Sequence, residues 1–247
     1  MRRALHPALG LVALCLAAAP ALGQGARPDT AAARYASSAA VALDLSEYGL
    51  GAGAVVRYGL GRDLSAVAEV SVGAGRDERE QSFFVGFFGD TVTPFKRNYV
   101  VLVPLHAGLE RRLFREQIED NFRPFVSLAV GPTVGYQWPY FDDLDGDGVR
   151  DACKDLDGDG VAEACEVRLG ATGGLGRGEP RLGVGGTLAV GAHFGRGRAT
   201  QGVRVGVQGT YFPVEVELLE DDPARVEGPA RRTFWTPVVT FRVGRLL

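Results

Sequence analysis

The stretch GLGAGAVVRYGLGRDLSAVAEVSVG, residues 49–73, decides the fold class. Apolar side chains occupy every second position from Leu50 to Leu60, mostly between glycines, and the alternation resumes from Leu64 to Val72 after a tight turn. Successive side chains of a strand point to opposite faces, so this period of two indicates two half-buried strands. The stretch therefore predicts an antiparallel β-hairpin.

The same alternation recurs along the chain, and the connections between its strands differ in length in a regular way. Further strands are predicted at 99–109, 126–136, 182–194, 203–211 and 234–244. Short or moderate connections at 61–63, 111–122 and 195–201 alternate with long ones at 74–97, 138–180 and 213–232. Brief turns at one rim and long loops at the other are typical of a transmembrane β-barrel.

A barrel with both termini at the short-turn rim requires an even number of strands. The strand at 48–60 needs a partner before it, and Ser38 to Leu45 is the candidate. The sequence thus predicts an all-β fold, an eight-stranded antiparallel up-and-down transmembrane β-barrel at 38–247 with a long acidic loop insertion. Eight strands enclose too little space for an aqueous pore, so side chains should fill the interior.

The two faces of the predicted strands differ in chemistry. One face carries Leu, Val, Ala and aromatic residues, and the other carries Gly, Ser and Thr with single charges. These charges are Arg57, Glu69, Glu110, Arg204 and Arg242. We expect the apolar face to meet lipid and the charges to pair inside. A soluble secreted barrel or sandwich with an apolar core would show the same alternation with the faces reversed, and that alternative stays open.

On this strand pattern, residues 38–247 resemble the small eight-stranded outer-membrane β-barrel proteins of Gram-negative bacteria. The chain ends in Arg245-Leu246-Leu247, whereas many such proteins end in an aromatic residue. The resemblance implies a monomer located in the cell outer membrane and in contact with its lipid.

The N-terminus has the pattern of a signal peptide. Arg2 and Arg3 precede an apolar run at 8–19, and small residues at 21–23 precede a cleavage position before Gln24. An apolar run of this length is too short to span a bilayer. We therefore predict a signal peptide at 1–23 and an N-terminal periplasmic segment at 24–37.

An acidic segment, Asp142 to Glu166, lies within the predicted extracellular loop insertion at 138–180. It holds ten carboxylates and two basic residues, a net charge of −8 in a chain whose formal charge is −3. The segment nearly repeats itself after twelve residues, with Asp at alternate positions followed by Gly. This order of oxygen ligands and glycine is typical of a calcium loop, whereas a merely solvated acidic loop would need no such register.

Residues 143–166 resemble thrombospondin type 3 calcium repeats. By position, the resemblance implies two calcium loops with affinities of about 0.1–1 mM, as in extracellular modules. The first would use Asp143, Asp145, Asp147, the Val149 carbonyl and Asp151. The second would use Asp155, Asp157, Asp159, the Val161 carbonyl, Glu163 and Glu166. Lys154 stands at position twelve of the first loop and cannot be a ligand, which rules out an EF-hand there, although Asp155 could close that site.

Removal of the signal peptide leaves two cysteines, Cys153 and Cys165, and both lie in the acidic repeat. Disulfides persist in the oxidising compartments that exported proteins reach. A Cys153–Cys165 disulfide would staple the loop.

The candidate catalytic residues are few. His106 and His193 are the histidines of the mature chain, and both fall on the faces expected to point inward. Glu110 lies four strand positions from His106, about 13 Å away, so the two form no ready dyad. No basic and aromatic pattern indicates nucleic-acid binding.

These observations predict a non-enzymatic surface protein whose calcium-stabilised loop contacts an extracellular protein or lipopolysaccharide. Two alternatives remain. One is an outer-membrane barrel enzyme that modifies lipids through His106 or His193, and the other is a soluble secreted calcium-binding β protein.

Overall fold

The structure, a computed structural model, describes the residues of the strands and part of their connections. The described residues are 37–77, 79–85, 90–118, 121–144, 146, 150, 166–195, 199–220 and 230–247. The predicted signal peptide, most of the acidic repeat and both of its cysteines lie outside them.

Ten strands account for most of the described chain. They are β1 (Ser38–Ser46), β2 (Gly49–Gly59), β3 (Leu64–Gly75), β4 (Phe83–Val85), β5 (Asp90–Val92), β6 (Asn98–Arg112), β7 (Phe122–Pro139), β8 (Glu179–Phe194), β9 (Ala199–Glu217) and β10 (Ala230–Leu246). Eight of them form a closed antiparallel barrel in the order β1-β10-β9-β8-β7-β6-β3-β2, and β4 and β5 form a separate hairpin. The predicted eight-stranded barrel is confirmed.

The one described helical segment is a single 3₁₀ turn, Leu175–Arg177. Within the described ranges, the search for a helix long and apolar enough to cross a membrane found none.

Strand β1 closes the barrel. It pairs with β2 along one edge, from Ser46↔Gly49 to Ser38↔Arg57, and with β10 along the other, from Ser38 to Ser46. The strand predicted at 38–45 is therefore confirmed. Its link to β2 is a two-residue turn at the long-loop rim, so the alternation of short and long connections fails at this first hairpin.

Several strands are longer than the alternation of apolar residues predicted. Strand β7 begins at Phe122, before the predicted start at 126, and β9 continues to Glu217, into the connection predicted at 213–232. The β4–β5 hairpin likewise lies within the connection predicted at 74–97. These assignments were wrong because strand ends beyond the apolar band carry mixed side chains on both faces and lose the period of two.

The barrel is apolar outside and polar inside. Leu182 on the outer face is 71% exposed, whereas Glu110 on the inner face is 4% exposed. The large apolar side chains exposed on the outer face include Val41, Leu43, Leu50, Leu128, Val130, Leu188, Val190, Val205, Phe241 and Val243. The buried polar ones include Arg57, His106, Thr187, His193, Arg204, Thr240 and Arg242. This arrangement contradicts the alternative of a soluble barrel with an apolar core.

Exposed aromatic side chains lie at both rims. Tyr58, Phe122 and Phe194 are exposed at the short-turn rim, where the last two rings lie 5.5 Å apart. Tyr211 and Trp235 are exposed towards the long-loop rim. Aromatic girdles that flank an apolar band are typical of outer-membrane barrels.

Side chains fill the interior. The cavity among the described lumen residues near the long-loop rim has a volume of about 40 Å³, and the one near the short-turn rim about 10 Å³. An apolar cluster including Val100, Leu102, Phe212, Val216 and Phe234 lies above them. The described barrel thus encloses no aqueous pore, as expected for eight strands.

Close approach of β6 and β7 depends on a residue without a side chain, and we predict that Gly108→Ala destabilises the barrel. A methyl group at Gly108 would meet the backbone carbonyl of Leu128 and lie 2.5 Å from the Cα of Ala129. Overpacking of this kind should lower the free energy of unfolding by about 1–3 kcal/mol, measured by urea unfolding in lipid vesicles. Gly61→Ala is the control, because its methyl group would meet no atom within 4 Å. Equal stability of the two variants would contradict the prediction.

Candidate functional site

Glu110 is the centre of a buried charge network in the lumen. Its Oε1 accepts a hydrogen bond from Arg57 Nη1 at 3.0 Å and lies 2.8 Å from His193 Nε2, while its Oε2 lies 3.3 Å from Arg242 Nη1. These four side chains come from β2, β6, β8 and β10. The network therefore joins four strands of which no two are neighbours in the barrel.

A second carboxylate, Glu69, extends the network. Arg204 Nη1 and Arg242 Nη2 lie 2.8 Å and 3.3 Å from its Oε2. Arg204 Nε also donates to Thr240 Oγ1 at 3.1 Å, and that hydroxyl donates to Asp44 at 2.6 Å. Because Arg242 contacts both glutamates, the two halves form one unit. Three arginines thus contact two glutamates, with Asp44 linked through the Thr240 hydroxyl, and the predicted pairing of lumen charges is confirmed.

The two histidines belong to this interior. His106 Nδ1 lies 3.2 Å from Thr187 Oγ1, and the His193 ring stacks on Phe125 with centroids 4.4 Å apart. As expected, His106 and Glu110 form no dyad. Glu110 pairs instead with His193, a contact that sequence spacing did not indicate because β7 lies between their strands.

The pair of His193 and Glu110 has no room for a lipid substrate. The adjoining cavity, about 10 Å³, is large enough for one water molecule at most. Phe125 covers the imidazole and two arginines hold the carboxylate. His193 therefore faces no cavity large enough for a lipid in the described part of the chain.

A second ion cluster lies above the barrel at the long-loop rim. Asp77, which is 1% exposed, accepts hydrogen bonds from Arg79 and contacts Arg231 Nε at 2.9 Å. Burial raises the pKa of the Asp77 carboxyl, but the hydrogen bonds and charges of Arg79 and Arg231 outweigh it, so the pKa lies below its ordinary value. Glu80 next to it contacts Lys96 Nζ at 2.6 Å. This cluster ties the loop after β3 to the ends of β6 and β10.

Hydrogen bonds join the two ends of the acidic insertion, the acidic segment at 142–166. Asp142 N donates to Val167 O at 3.0 Å, and Leu169 N donates to Tyr140 O at 2.8 Å. Arg177 Nη1 also contacts Asp142 Oδ1 at 2.6 Å. The two ends of the insertion are thus joined directly above β7.

Two of the predicted calcium ligands lie at these joined ends. Asp143 Oδ1 accepts a hydrogen bond from Gly146 N at 2.7 Å, and Gly146 has a φ of +78°, which favours glycine. Glu166 is 3% exposed, and its Oε1 accepts a hydrogen bond from Leu144 N at 2.9 Å. Both carboxylates, one from each end of the insertion, therefore accept hydrogen bonds from backbone amides near its start.

The other predicted ligands lie outside the described residues. They are Asp145, Asp147, Val149, Asp151, Asp155, Asp157, Asp159, Val161 and Glu163, and the cysteines Cys153 and Cys165 also lie outside. Among the residues that the structure does describe, no cluster of three or more His, Cys, Asp or Glu side chains could hold a metal ion.

Comparison with known proteins gives distant structural similarities. No protein-family model and no characterised protein matches the sequence. The N-terminal β-barrel domain of Pseudomonas aeruginosa OprF is 8% identical with a TM-score of 0.37, over 86% of this chain and 98% of that one. Neisserial surface protein A (NspA) is 9% identical with a TM-score of 0.37, over 85% of this chain and 94% of that one.

The closed ring of strands, apolar outside and polar inside, defines the class of protein independently of these similarities. It is an eight-stranded β-barrel with an exposed apolar exterior and a filled, polar interior. Such a distribution suits a lipid solvent, because large apolar side chains cover the outer face and each strand of the closed ring pairs along both edges.

We predict that Glu110→Gln strongly destabilises the barrel. The change removes the negative charge between Arg57 and Arg242, and uncompensated buried charges cost about 3–5 kcal/mol. The control is Glu215→Gln, because Glu215 pairs with Arg232 and both side chains are about half exposed. It should change stability by less than about 1 kcal/mol. Urea unfolding in vesicles measures both, and a small loss for Glu110→Gln would show that the network is dispensable.

Proposed function

We propose that this chain is an outer-membrane β-barrel with a non-enzymatic surface role, and that it presents a calcium-stiffened loop outside the cell. The observation that carries the proposal is the sidedness of the barrel. Leucine, valine and aromatic side chains cover its outer face, and charged side chains pair within it. In water this arrangement would expose an apolar surface far larger than soluble monomers carry.

The filled lumen supports an anchoring role over transport. Cavities of about 40 Å³ and 10 Å³ admit neither a solute nor a lipid. Function then falls to the loops, which carry binding residues on many rigid scaffolds. The largest lie at the rim opposite the termini, and in an outer-membrane barrel the long loops are extracellular.

The charge of the acidic insertion supports calcium binding. A segment at −8 repels itself unless cations neutralise it. Its ends are held together above β7, which gives the proposed calcium loops a fixed base. Asp143 and Glu166 stand at these two ends, next to the repeats that supply the other carboxylates. The Cys153–Cys165 disulfide would add a second restraint to the same loop.

A loop stiffened in this way would present a fixed surface to a partner. Calcium can also bridge carboxylates of the loop to anionic groups outside it, because it accepts six to eight oxygen ligands in flexible geometry. An extracellular protein or the phosphates of lipopolysaccharide would supply such groups.

Fractionation and gel mobility test the membrane assignment. We expect the protein to sediment with outer membranes, to require detergent for extraction, and to migrate differently before and after boiling. The mobility shift should arise because a closed barrel resists unfolding by detergent alone. Recovery in the soluble periplasm or medium without detergent would refute the proposal.

Calcium titration tests the loop. We expect the folded barrel to bind calcium with a Kd of about 0.1–1 mM, measured by calorimetry and by protection of the acidic insertion from proteolysis. The double variant Asp145→Asn, Asp157→Asn changes the second carboxylate ligand of each predicted loop and should weaken binding at least about tenfold. Glu215→Gln, which removes one negative charge elsewhere at the same rim, should bind as the wild type does. Absence of heat and of protection at several millimolar calcium would refute the calcium loop.

A further inference from the structure

A polar cleft of about 260 Å³ opens at the long-loop rim, where the ends of β6, β7, β8 and β9 converge. Mouths of β-barrels are common positions for ligand sites. Small-molecule pockets usually measure roughly 300–1,000 Å³, so this cleft would hold a compact ligand. It lies apart from the predicted calcium ligands except for Asp143, which lines one wall.

The charges that line the cleft cancel. Arg97, Arg177 and Arg181 face Asp143, Glu179 and Glu217. Arg97 Nη1 lies 2.8 Å from Glu217, and Arg181 Nη2 lies 2.7 Å from Glu179. A phosphate or carboxylate ligand would have to displace one of these carboxylates, and a cation would have to displace an arginine. The lining therefore favours a ligand without net charge.

The lining of the cleft is mixed. Its apolar part consists of Trp138, Pro139 and Phe141, of which Trp138 and Phe141 are only 7% and 2% exposed. The polar part consists of guanidinium groups, carboxylates and the amides of Asn98 and Gln137. These groups alternate as hydrogen-bond donors and acceptors.

Two lining groups leave hydrogen-bonding capacity unused. Gln137 is 8% exposed, and its Oε1 is buried without a hydrogen-bond partner among the described residues, as is Arg181 Nε. The terminal torsion of glutamine is broad, so a small rotation of the amide would turn its oxygen towards the cleft. An acceptor and a donor that both lack partners in one cleft match a ligand that can donate and accept at adjacent atoms.

We infer that the cleft binds a neutral saccharide unit. A sugar hydroxyl both donates and accepts hydrogen bonds, and neighbouring hydroxyls can bridge a carboxylate and a guanidinium. The size, the balanced charge and the mixed polar and apolar lining all agree with a single sugar ring, which has hydroxyl groups around its edge and C–H groups on its faces. That ring could be free or could be the terminal residue of a glycolipid. All residues that line the cleft are described by the structure. Only the inference that the cleft faces the outside of the cell rests on the proposed function.

The two tryptophans of the chain provide a test with an internal control. Trp138 lines the cleft and its indole nitrogen donates to Ala171 O, whereas Trp235 is 60% exposed on the outer face. The folded protein, in a detergent without sugar groups, is titrated with glucose, galactose, mannose and N-acetylglucosamine. We expect at least one of them to shift the indole NMR signal of Trp138 while that of Trp235 stays constant. Trp235→Phe assigns the two signals.

Matched variants identify the binding groups. Monosaccharides bind weakly because they make few contacts, so we expect a Kd of about 1 mM or above. Gln137→Leu and Arg181→Met should each weaken binding about tenfold, the effect of one lost hydrogen bond to a charged or buried group. Arg232→Met, at the same rim but outside the cleft, should leave the affinity unchanged. The boiling-dependent gel shift confirms that each variant is folded.

Further titrations distinguish the possible ligands of the cleft. Vesicles that carry a neutral glycolipid test the lipid-linked source against the free sugar. Titrations in chelator and in several millimolar calcium separate this site from the loop, since sugar binding in chelator would stand even if the calcium loop fails. Inorganic phosphate and choline serve as the anionic and cationic probes. The inference is overturned if no neutral sugar moves the Trp138 signal at tens of millimolar, if only the charged probes move it, or if both cleft variants keep wild-type affinity.

Discussion

The paired charges inside the barrel are the interaction on which the rest of this structure depends. A strand that turns its apolar face to lipid must turn its other face inward, and in eight strands there is no water-filled channel to solvate what stands there. Glutamate and arginine are tolerated because each finds the other within about hydrogen-bond distance. Buried ion pairs add little net stability, but losing one partner is costly, so such a network fixes the arrangement of the strands.

Different interactions hold together the rim opposite the termini. There the strands outrun the apolar band, and an apolar cluster with Phe212 and Phe234 closes the top of the lumen. Ion pairs around Asp77 and the joined ends of the acidic insertion fasten the connections above this cluster. The lower part of the barrel is thus filled with side chains. The polar surface of the upper part carries both proposed binding sites.

How much of this could be predicted from sequence depends on the kind of information involved. The period of two assigns each residue to a face, so the strand count and the inward position of Glu110, His193 and Arg242 followed directly. Which inward residues meet depends on their height along the barrel axis, and that is set by register and strand tilt. The contact between Glu110 and His193 spans 83 residues and skips a strand, and no local pattern encodes it. The strand extensions and the cleft at the long-loop rim were not predicted, because they form where the alternation of apolar and polar residues ends.

The contribution of Arg242 has a consequence for how the barrel forms. This residue lies on β10, the last strand, which pairs with β1 to complete the ring. It is also the side chain that contacts both Glu69 and Glu110. Before the last strand docks, Glu110 can pair with Arg57 and Glu69 with Arg204, but Arg242 does not yet join the two pairs. Closing the seam therefore also links the two halves of the charge network, which makes a partly open ring an unfavourable resting point during assembly.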